Sequence, residues 1–146
     1  MKPNLPPPAP EESRGRKKRV FVVEDHPLMR RSFVEAIERE PDLMVCGQAE
    51  DAPEPLAIIS LDPDIVLTDI QLKSTNGLDL IKALRIRVPA LPIVATSMFN
   101  VSRTGSLARA SGASGFVSKE AGPDQLIAVI REVLGNGTKA GSTAVP

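Results

Sequence analysis

Two patterns of hydrophobic and polar residues alternate along the chain. Short, wholly apolar runs rich in β-branched residues are typical of strands buried on both faces of a sheet; they occur at 20–23, 43–46, 65–67, 93–95 and 116–117. Segments with apolar residues at helical spacing follow each run, beginning at Pro27, after Asp51, after Asn76-Gly77, at 101 and at Pro123. Five alternating strands and helices predict a doubly wound α/β domain, in which helices cover both faces of a five-stranded parallel sheet.

Individual residues refine the helix boundaries. Asp51 is expected to cap the second helix, which would carry two prolines in its first turn. The fourth helix, 101–112, is expected to be weak because Gly105 and several Ser and Thr residues disfavour helix interiors. Gly135 is expected to end the last helix.

Charge divides the chain into unlike parts. The 146 residues carry 18 basic and 18 acidic side chains, but residues 1–19 hold six basic and two acidic ones, which leaves 20–146 with a net charge of −4. Five of the first ten residues are proline. We therefore expect a disordered, proline-rich basic arm at 1–18, a folded domain at 19–135 and a flexible tail at 136–146. The arm is either a solvated segment or a contact for an acidic partner or nucleic acid.

Composition narrows the possible functions. With no Trp, no Tyr and four Phe, the chain has little material for stacking single-stranded bases. One Cys and one His are too few for a zinc site, and Cys46 cannot form an internal disulfide. No apolar run approaches the roughly 20 residues that a membrane helix needs. These features predict a cytoplasmic protein without a membrane partner.

Polar residues collect where the predicted strands end. The carboxyl ends of parallel strands lie at one edge of the sheet, where such folds bind ligands. This edge should therefore bring together three carboxylates, a hydroxyl and an ammonium, which belong to Glu24, Asp25, Asp69, Ser97 and Lys119. Clustered carboxylates repel one another, and oxygen ligands suit Mg²⁺. Once a metal neutralises them, a phosphoryl group can approach Asp69, which would attack phosphorus to form an acyl phosphate, with Lys119 and a hydroxyl contacting its oxygens.

Four segments carry a family resemblance. VFVVEDHPLMRRSF, DIVLTDIQLKSTNGLDLI, IVATS and GASGFVSKE resemble the signature segments of response-regulator receiver domains from two-component signalling, and the similarity covers about residues 19–135. The resemblance implies a (βα)₅ flavodoxin-like fold, Mg²⁺ as cofactor and phosphorylation by a sensor histidine kinase or phosphotransfer protein. It also implies a protein that assists its own phosphorylation and dephosphorylation but is not an enzyme in the usual sense.

The resemblance assigns roles to single residues. Asp69 matches the phosphoacceptor. Asp25 matches the acid that binds the metal directly, Glu24 the acid that reaches it through water, and Gln71 the residue whose backbone carbonyl binds it. Ser97 matches the switch hydroxyl and Phe116 the switch aromatic. Lys119 matches the lysine that contacts the phosphate. Phosphorylation would draw Ser97 inward, let Phe116 follow and bias the face made by the fourth helix, fifth strand and fifth helix towards a downstream output protein.

Some positions depart from the family or have simpler explanations. Lys73 stands where receivers usually have proline, which predicts a looser loop, and Gln71 and Asn100 lie where residues influence the access of water to the acyl phosphate. Thr96 offers the same hydroxyl as Ser97, since a one-residue slip in the strand would exchange them. His26 is expected at the start of a helix rather than as a proton carrier, and Phe116 is as readily a core residue as a switch.

The wider context remains open. His-Pro after the acidic pair resembles the NarL/FixJ subgroup, whose members carry a helix-turn-helix module, but only 11 residues follow Gly135. The expectation is a stand-alone receiver or the receiver piece of a longer regulator, with no sequence-specific DNA binding by this chain and with homodimerisation possible. The alternatives are a phosphorylation-independent interaction module and a haloacid-dehalogenase-type enzyme, which would need a second acid where Gln71 stands.

Overall fold

The structure, a computed structural model, describes residues 16–98 and 101–143; for Val101 and for 136–143 it describes the backbone alone. Most of the predicted arm, residues 1–15, lies outside the described residues, as do Asn100 and residues 144–146 of the predicted tail.

Strands and helices alternate as the sequence pattern predicts. In chain order they are β1 (Lys18–Val23), α1 (Pro27–Glu38), β2 (Leu43–Ala49), α2 (Pro55–Ile59), β3 (Ile65–Asp69), α3 (Gly77–Arg87), β4 (Ile93–Ser97), α4 (Val101–Ser111), β5 (Gly115–Ser118), a 3₁₀ turn (Lys119–Ala121) and α5 (Pro123–Thr143). All strands are parallel, in the order β2-β1-β3-β4-β5. The predicted doubly wound, flavodoxin-like α/β fold is confirmed.

Each face of the sheet has its own apolar core, because alternate side chains of a strand point to opposite faces. On β1, Val20 and Val22 join the core that packs beneath α1 and α5. Phe21 and Val23 join the core on the other side, beneath α2, α3 and α4. The central strands are therefore apolar throughout, and their polar residues lie only at the ends.

The predicted cap of the second helix is wrong. The helix α2 begins at Pro55 after Glu54, whose backbone is extended, and no side chain caps it. Because a residue before proline avoids the helical conformation, Pro53 and Pro55 keep the helix from starting earlier. Asp51 instead accepts hydrogen bonds from the hydroxyls of Ser74 and Thr75, in the loop after β3.

The predicted end of the last helix also differs, because α5 continues through Gly135 to Thr143. A glycine ends a helix when its backbone turns left-handed. Gly112 does so just after α4, with φ of 118°, but Gly135 has no positive φ. A glycine that stays helical costs only about 1 kcal/mol relative to alanine, which does not terminate a helix.

Arg131 ties α5 to the loop between α1 and β2. Its guanidinium donates to both carboxylate oxygens of Asp42, at 2.6 and 3.0 Å, and also to Glu40. Hydrogen bonds from Arg131 lower the pKa of Asp42, and those to Asp42 and Glu40 raise the pKa of Arg131. This cluster anchors α5 to the side of the sheet that carries α1.

Arg131→Gln should lower the free energy of unfolding at neutral pH by roughly 0.5–1 kcal/mol, because the cluster is partly exposed and solvent screens it. Since the folded pKa of Asp42 is depressed, its contribution is present above the ordinary carboxylate pKa and is lost as the pH falls through the lowered value. Urea unfolding of the variant and the wild type should therefore begin to converge below about pH 4 and coincide only below the lowered pKa of Asp42.

Arg31→Gln is the matched control. Arg31 forms an exposed pair with Glu35 one helical turn away, and its removal should change stability very little. Equal losses in the two variants at neutral pH would contradict the anchoring role of Arg131.

Candidate functional site

The fold brings the predicted polar residues together at the carboxyl ends of β1, β3 and β5. Glu24 follows β1 directly, Asp69 ends β3, and Lys119 opens the turn after β5. The strand order reverses between β1 and β3, which is where open α/β sheets form binding crevices. Carboxylate oxygens of Glu24, Asp25 and Asp69 lie within 4.8 Å of one another.

Lys119 bridges two of these carboxylates. Its ammonium lies 2.7 Å from Asp69 Oδ2 and 2.9 Å from Glu24 Oε2. The side chains are 7%, 3% and 0% exposed for Lys119, Asp69 and Glu24, so the three charges are shielded from water. Because β4 lies between β3 and β5, the lysine reaches across a whole strand to make these contacts.

The charges in the site do not balance. Burial raises the pKa of Glu24 and of Asp69, and the hydrogen bond from Lys119 offsets only part of this rise. Burial by itself would lower the pKa of Lys119, but its hydrogen bonds to Asp69 and Glu24 outweigh that effect and raise it. When ionised, three carboxylates and one ammonium leave two negative charges, which favours the binding of a cation.

The donor set fits a hard divalent cation. Glu24 Oε1 is buried and has no hydrogen-bond partner among the described residues, so it is available as a ligand. Asp25 and Asp69 open on a cavity of about 330 Å³, which is also lined by His26, Met29, Gln71, Met98 and Lys119. An all-oxygen cluster beside a water-accessible cavity suits Mg²⁺, which keeps several waters in its coordination shell.

The backbone around Asp69 holds its carboxylate in place. The N–H of Gln71 donates to Asp69 Oδ1 at 3.0 Å, which leaves Oδ2 to Lys119. Gln71 also pairs with Asn76 in an isolated β-bridge, and Asn76 caps α3 by accepting from the N–H of Leu78 at 2.8 Å. The loop after β3 is thereby closed on itself beside the carboxylate.

Asp51, in the loop between β2 and α2, also contacts the loop after β3. It binds Ser74 and Thr75, while Lys73 lies 3.8 Å from Glu50 in an exposed ion pair. These contacts hold the segment in which Lys73 replaces the expected proline. The sequence contained no signal for them, since Asp51 stands more than 20 residues before the loop.

Gly77 lies against the backbone of Asp69. A Cβ atom at this position would be 2.0 Å from the carbonyl oxygen of Asp69 and 2.6 Å from the Cα of Ile70. The Gly77 N–H donates to the Ile70 carbonyl at 3.0 Å. Glycine is therefore required here so that α3 can begin directly beside Asp69.

Ser97 and Thr96 are both fully buried at the end of β4. Thr96 is in register with Asp69, whereas Ser97 is in register with Ser118. Phe116 packs half-buried against the core beneath α2, α3 and α4, and a Cβ at Gly105 of α4 would lie 3.5 Å from its ring.

His26 stands at the start of α1, as expected. Its Nδ1 accepts from the N–H of Met29 at 3.4 Å, so it caps the helix. Its backbone N–H also donates to Glu24 Oε2 at 3.1 Å. Asp25 is half-buried between Glu24 and His26.

The fold and the acidic cluster together define a flavodoxin-like α/β domain with a site suited to a divalent cation. Within the described part of the chain, no helix combines the length and apolar character needed to cross a membrane. The sequence model of the response regulator receiver domain matches residues 20–131. The chain belongs to the response regulator receiver domain family.

Individual relatives agree with this family. The chain is 32% identical over 113 residues to the nitrate/nitrite response regulator protein NarP of Escherichia coli, covering 77% of this chain and 53% of the relative. The chain thus spans about half the length of the curated relatives it matches.

Solved structures show the same similarity. A LuxR-family two-component response regulator from Aurantimonas superimposes with a TM-score of 0.77 at 31% identity, covering 82% of this chain and 86% of the other. CheY6 of R. sphaeroides, solved in complex with the P1 domain of CheA3, superimposes with a TM-score of 0.70 at 25% identity. The superposition covers 83% of this chain and 99% of the other.

Gly77→Ala should lower the free energy of unfolding by at least about 2 kcal/mol, because the added methyl group overlaps backbone atoms that cannot move aside. Urea denaturation measures the loss. Gly135→Ala is the matched control, since that glycine is helical and a Cβ there meets nothing within 4 Å; it should leave stability unchanged or raise it. Similar stability of both variants would show that α3 does not depend on close contact with Asp69.

Proposed function

We propose that this chain is a phosphorylatable signalling receiver, which accepts a phosphoryl group on Asp69 from a histidine kinase or a phosphotransfer protein in a Mg²⁺-dependent reaction. The observation that carries the proposal is the buried bridge of Lys119 to Asp69 and Glu24 beside a cavity into which Asp25 and Asp69 open. The proposed parts of the chain are an arm at 1–18, a receiver at 19–135 and a tail at 136–146.

The residues act on the phosphoryl group in distinct ways. A carboxylate oxygen of Asp69 forms a bond to phosphorus while the bond between phosphorus and the donor's histidine nitrogen breaks, and the nitrogen keeps the electron pair. The Gln71 N–H orients the attacking carboxylate, and Lys119 neutralises charge on the transferred oxygens.

Glu24, Asp25, Asp69 and the carbonyl of Gln71 would hold Mg²⁺. When bound, the metal neutralises charge on the carboxylates and on the incoming phosphoryl group.

The proposed response runs through Ser97 and Phe116 to the face of α4, β5 and α5. Phosphorylation would draw the Ser97 hydroxyl towards the phosphoryl group and let Phe116 move under α4. The glycine at 105 of α4 supports this path, because a Cβ there would already lie 3.5 Å from the Phe116 ring and would restrict its motion. The expected consequence is a changed affinity for a downstream output protein or for a second copy of the chain.

The partners follow from the family and its members. The complex of CheY6 with the P1 domain of CheA3 supports a docking site for a kinase or phosphotransfer domain beside Asp69. Because this chain matches about half of its relatives' length, the receiver portion of a transcriptional regulator is the alternative context. We propose a cytoplasmic location and no sequence-specific DNA binding by these residues themselves.

Incubation with Mg²⁺ and acetyl phosphate should add one phosphoryl group to the wild type, detected by intact mass and by its lability to base. Asp69→Ala should remove the added mass, and chelation of Mg²⁺ should prevent it. Asp79→Ala, which removes an exposed acid from the first turn of α3, should be phosphorylated like the wild type. Absence of a mass gain in the wild type, or the same gain in Asp69→Ala, would favour a phosphorylation-independent interaction module.

Lys119→Met should lower the free energy of unfolding of the metal-free protein by about 3 kcal/mol, because it leaves two buried carboxylates without their counter-ion. Mg²⁺ should raise the melting temperature of this variant more than that of the wild type, since the ion replaces the missing charge and no longer competes with the lysine. Lys82→Met, at an exposed lysine of α3, should behave like the wild type. Equal effects of Mg²⁺ on all three proteins would argue against a shared carboxylate site.

A further inference from the structure

Thr96 carries a buried hydroxyl that the proposed mechanism does not use. Its side chain is fully buried, and Oγ1 has no hydrogen-bond partner among the described residues. Thr68, one strand away, is equally buried, but its hydroxyl donates to the carbonyl oxygen of Asp69 at 3.0 Å. Because an unpaired buried hydroxyl costs free energy, the oxygen of Thr96 is best explained by a partner that it gains in another state of the site.

The sheet places Thr96 directly under the bridge made by Lys119. Thr96 is in register with Asp69 of β3 on one side and with Val117 of β5 on the other. Paired residues of parallel strands share a face, so Asp69, Thr96 and Val117 lie on one face of the sheet. Lys119, in the turn after β5, reaches the same face because its ammonium contacts Asp69. To reach Asp69 the lysine must cross β4, and Thr96 is the β4 residue at the level of that carboxylate.

Ser97 does not share this position. Side chains alternate along β4, where Val94 belongs to the core beneath α1 and α5 and Ala95 to the core on the other side. Thr96 therefore follows Val94, and Ser97 follows Ala95 towards the face that carries α4 and Phe116. The two adjacent hydroxyls are thus separated by the sheet and are suited to different partners.

The ammonium of Lys119 has one hydrogen-bond donor left for a further acceptor. It has three N–H donors, of which Asp69 and Glu24 take two. In the proposed function Asp69 becomes an acyl phosphate and Lys119 contacts the phosphoryl oxygens, so the hydrogen bonds of the ammonium are rearranged and its remaining donor needs an acceptor within a buried site. The oxygen of Thr96 lies on the same face between the two strands and can accept that hydrogen bond.

We propose that Thr96 is a positioning residue for phosphoryl transfer, whose hydroxyl accepts a hydrogen bond from Lys119 when the lysine contacts the phosphoryl group. This inference rests on the proposed function of Asp69 as phosphoacceptor. It separates the roles of the two hydroxyls: Ser97 follows the phosphoryl group, and Thr96 holds the lysine that contacts it.

Thr96→Val tests the inference with two measurements of opposite sign. In metal-free protein the melting temperature should rise by about 3 °C, because a methyl group of the same shape replaces an unpaired hydroxyl. The affinity for beryllofluoride in the presence of Mg²⁺, measured by calorimetry as a mimic of the phosphoryl group, should fall about tenfold, since a hydrogen bond to a charged group is lost. Thr96→Ser should restore both values to those of the wild type.

Thr68→Val is the matched control for metal-free stability, because its hydroxyl already has a partner; its melting temperature should fall. A fall in the metal-free melting temperature of Thr96→Val, or unchanged beryllofluoride affinity in that variant, would overturn the role of Thr96. If the wild type binds no beryllofluoride, or if Asp69→Ala binds it equally well, the proposed function itself is wrong. Binding by the wild type and not by Asp69→Ala, with no effect of Thr96→Val, would refute only the inference about Thr96.

Discussion

The bridge of Lys119 to Asp69 and Glu24 is the interaction on which the site depends. Three charged groups meet where water is nearly excluded, and removal of one partner from such a group leaves an uncompensated buried charge. Because Lys119 follows β5 and the acids end β1 and β3, the bridge also spans four of the five strands at their carboxyl ends. The remaining negative charge favours the binding of a cation, and the proposed function adds an anionic phosphoryl group beside that cation.

The helices on the two sides of the sheet are held by different contacts. On the side of α1 and α5, the Arg131 cluster joins the last helix to the loop before β2. On the other side, α4 contains Gly105 packed over Phe116, and helix-disfavouring Ser and Thr residues occur along its length. Segments that move in a switch come from the less stable parts of a fold, and the composition of α4 agrees with its proposed motion on the opposite side of the sheet from α5.

Much of this arrangement could be predicted from the sequence, because strand and helix periodicity and the polar residues at strand ends are local signals. The five strands, the order of elements and the meeting of Glu24, Asp25, Asp69 and Lys119 follow from such signals. Contacts between distant segments do not follow from local signals. For this reason the sequence predicts Asp51 as the cap of α2, whereas in the structure it binds Ser74 and Thr75. The requirement for glycine at 77 and the choice between Ser97 and Thr96 depend on strand register and on distances to backbone atoms, which a single sequence does not contain.

The central claim is that Lys119 serves as the counter-ion of Glu24 and Asp69 at the site proposed to bind Mg²⁺. Nuclear magnetic resonance of the Lys119 ammonium nitrogen and its protons, recorded during a Mg²⁺ titration, observes this directly. The account predicts a slowly exchanging, hydrogen-bonded ammonium in the metal-free protein, whose resonance shifts as Mg²⁺ saturates the site. An ammonium that exchanges like those of exposed lysines, or one whose resonance is unchanged at saturating Mg²⁺, would contradict it.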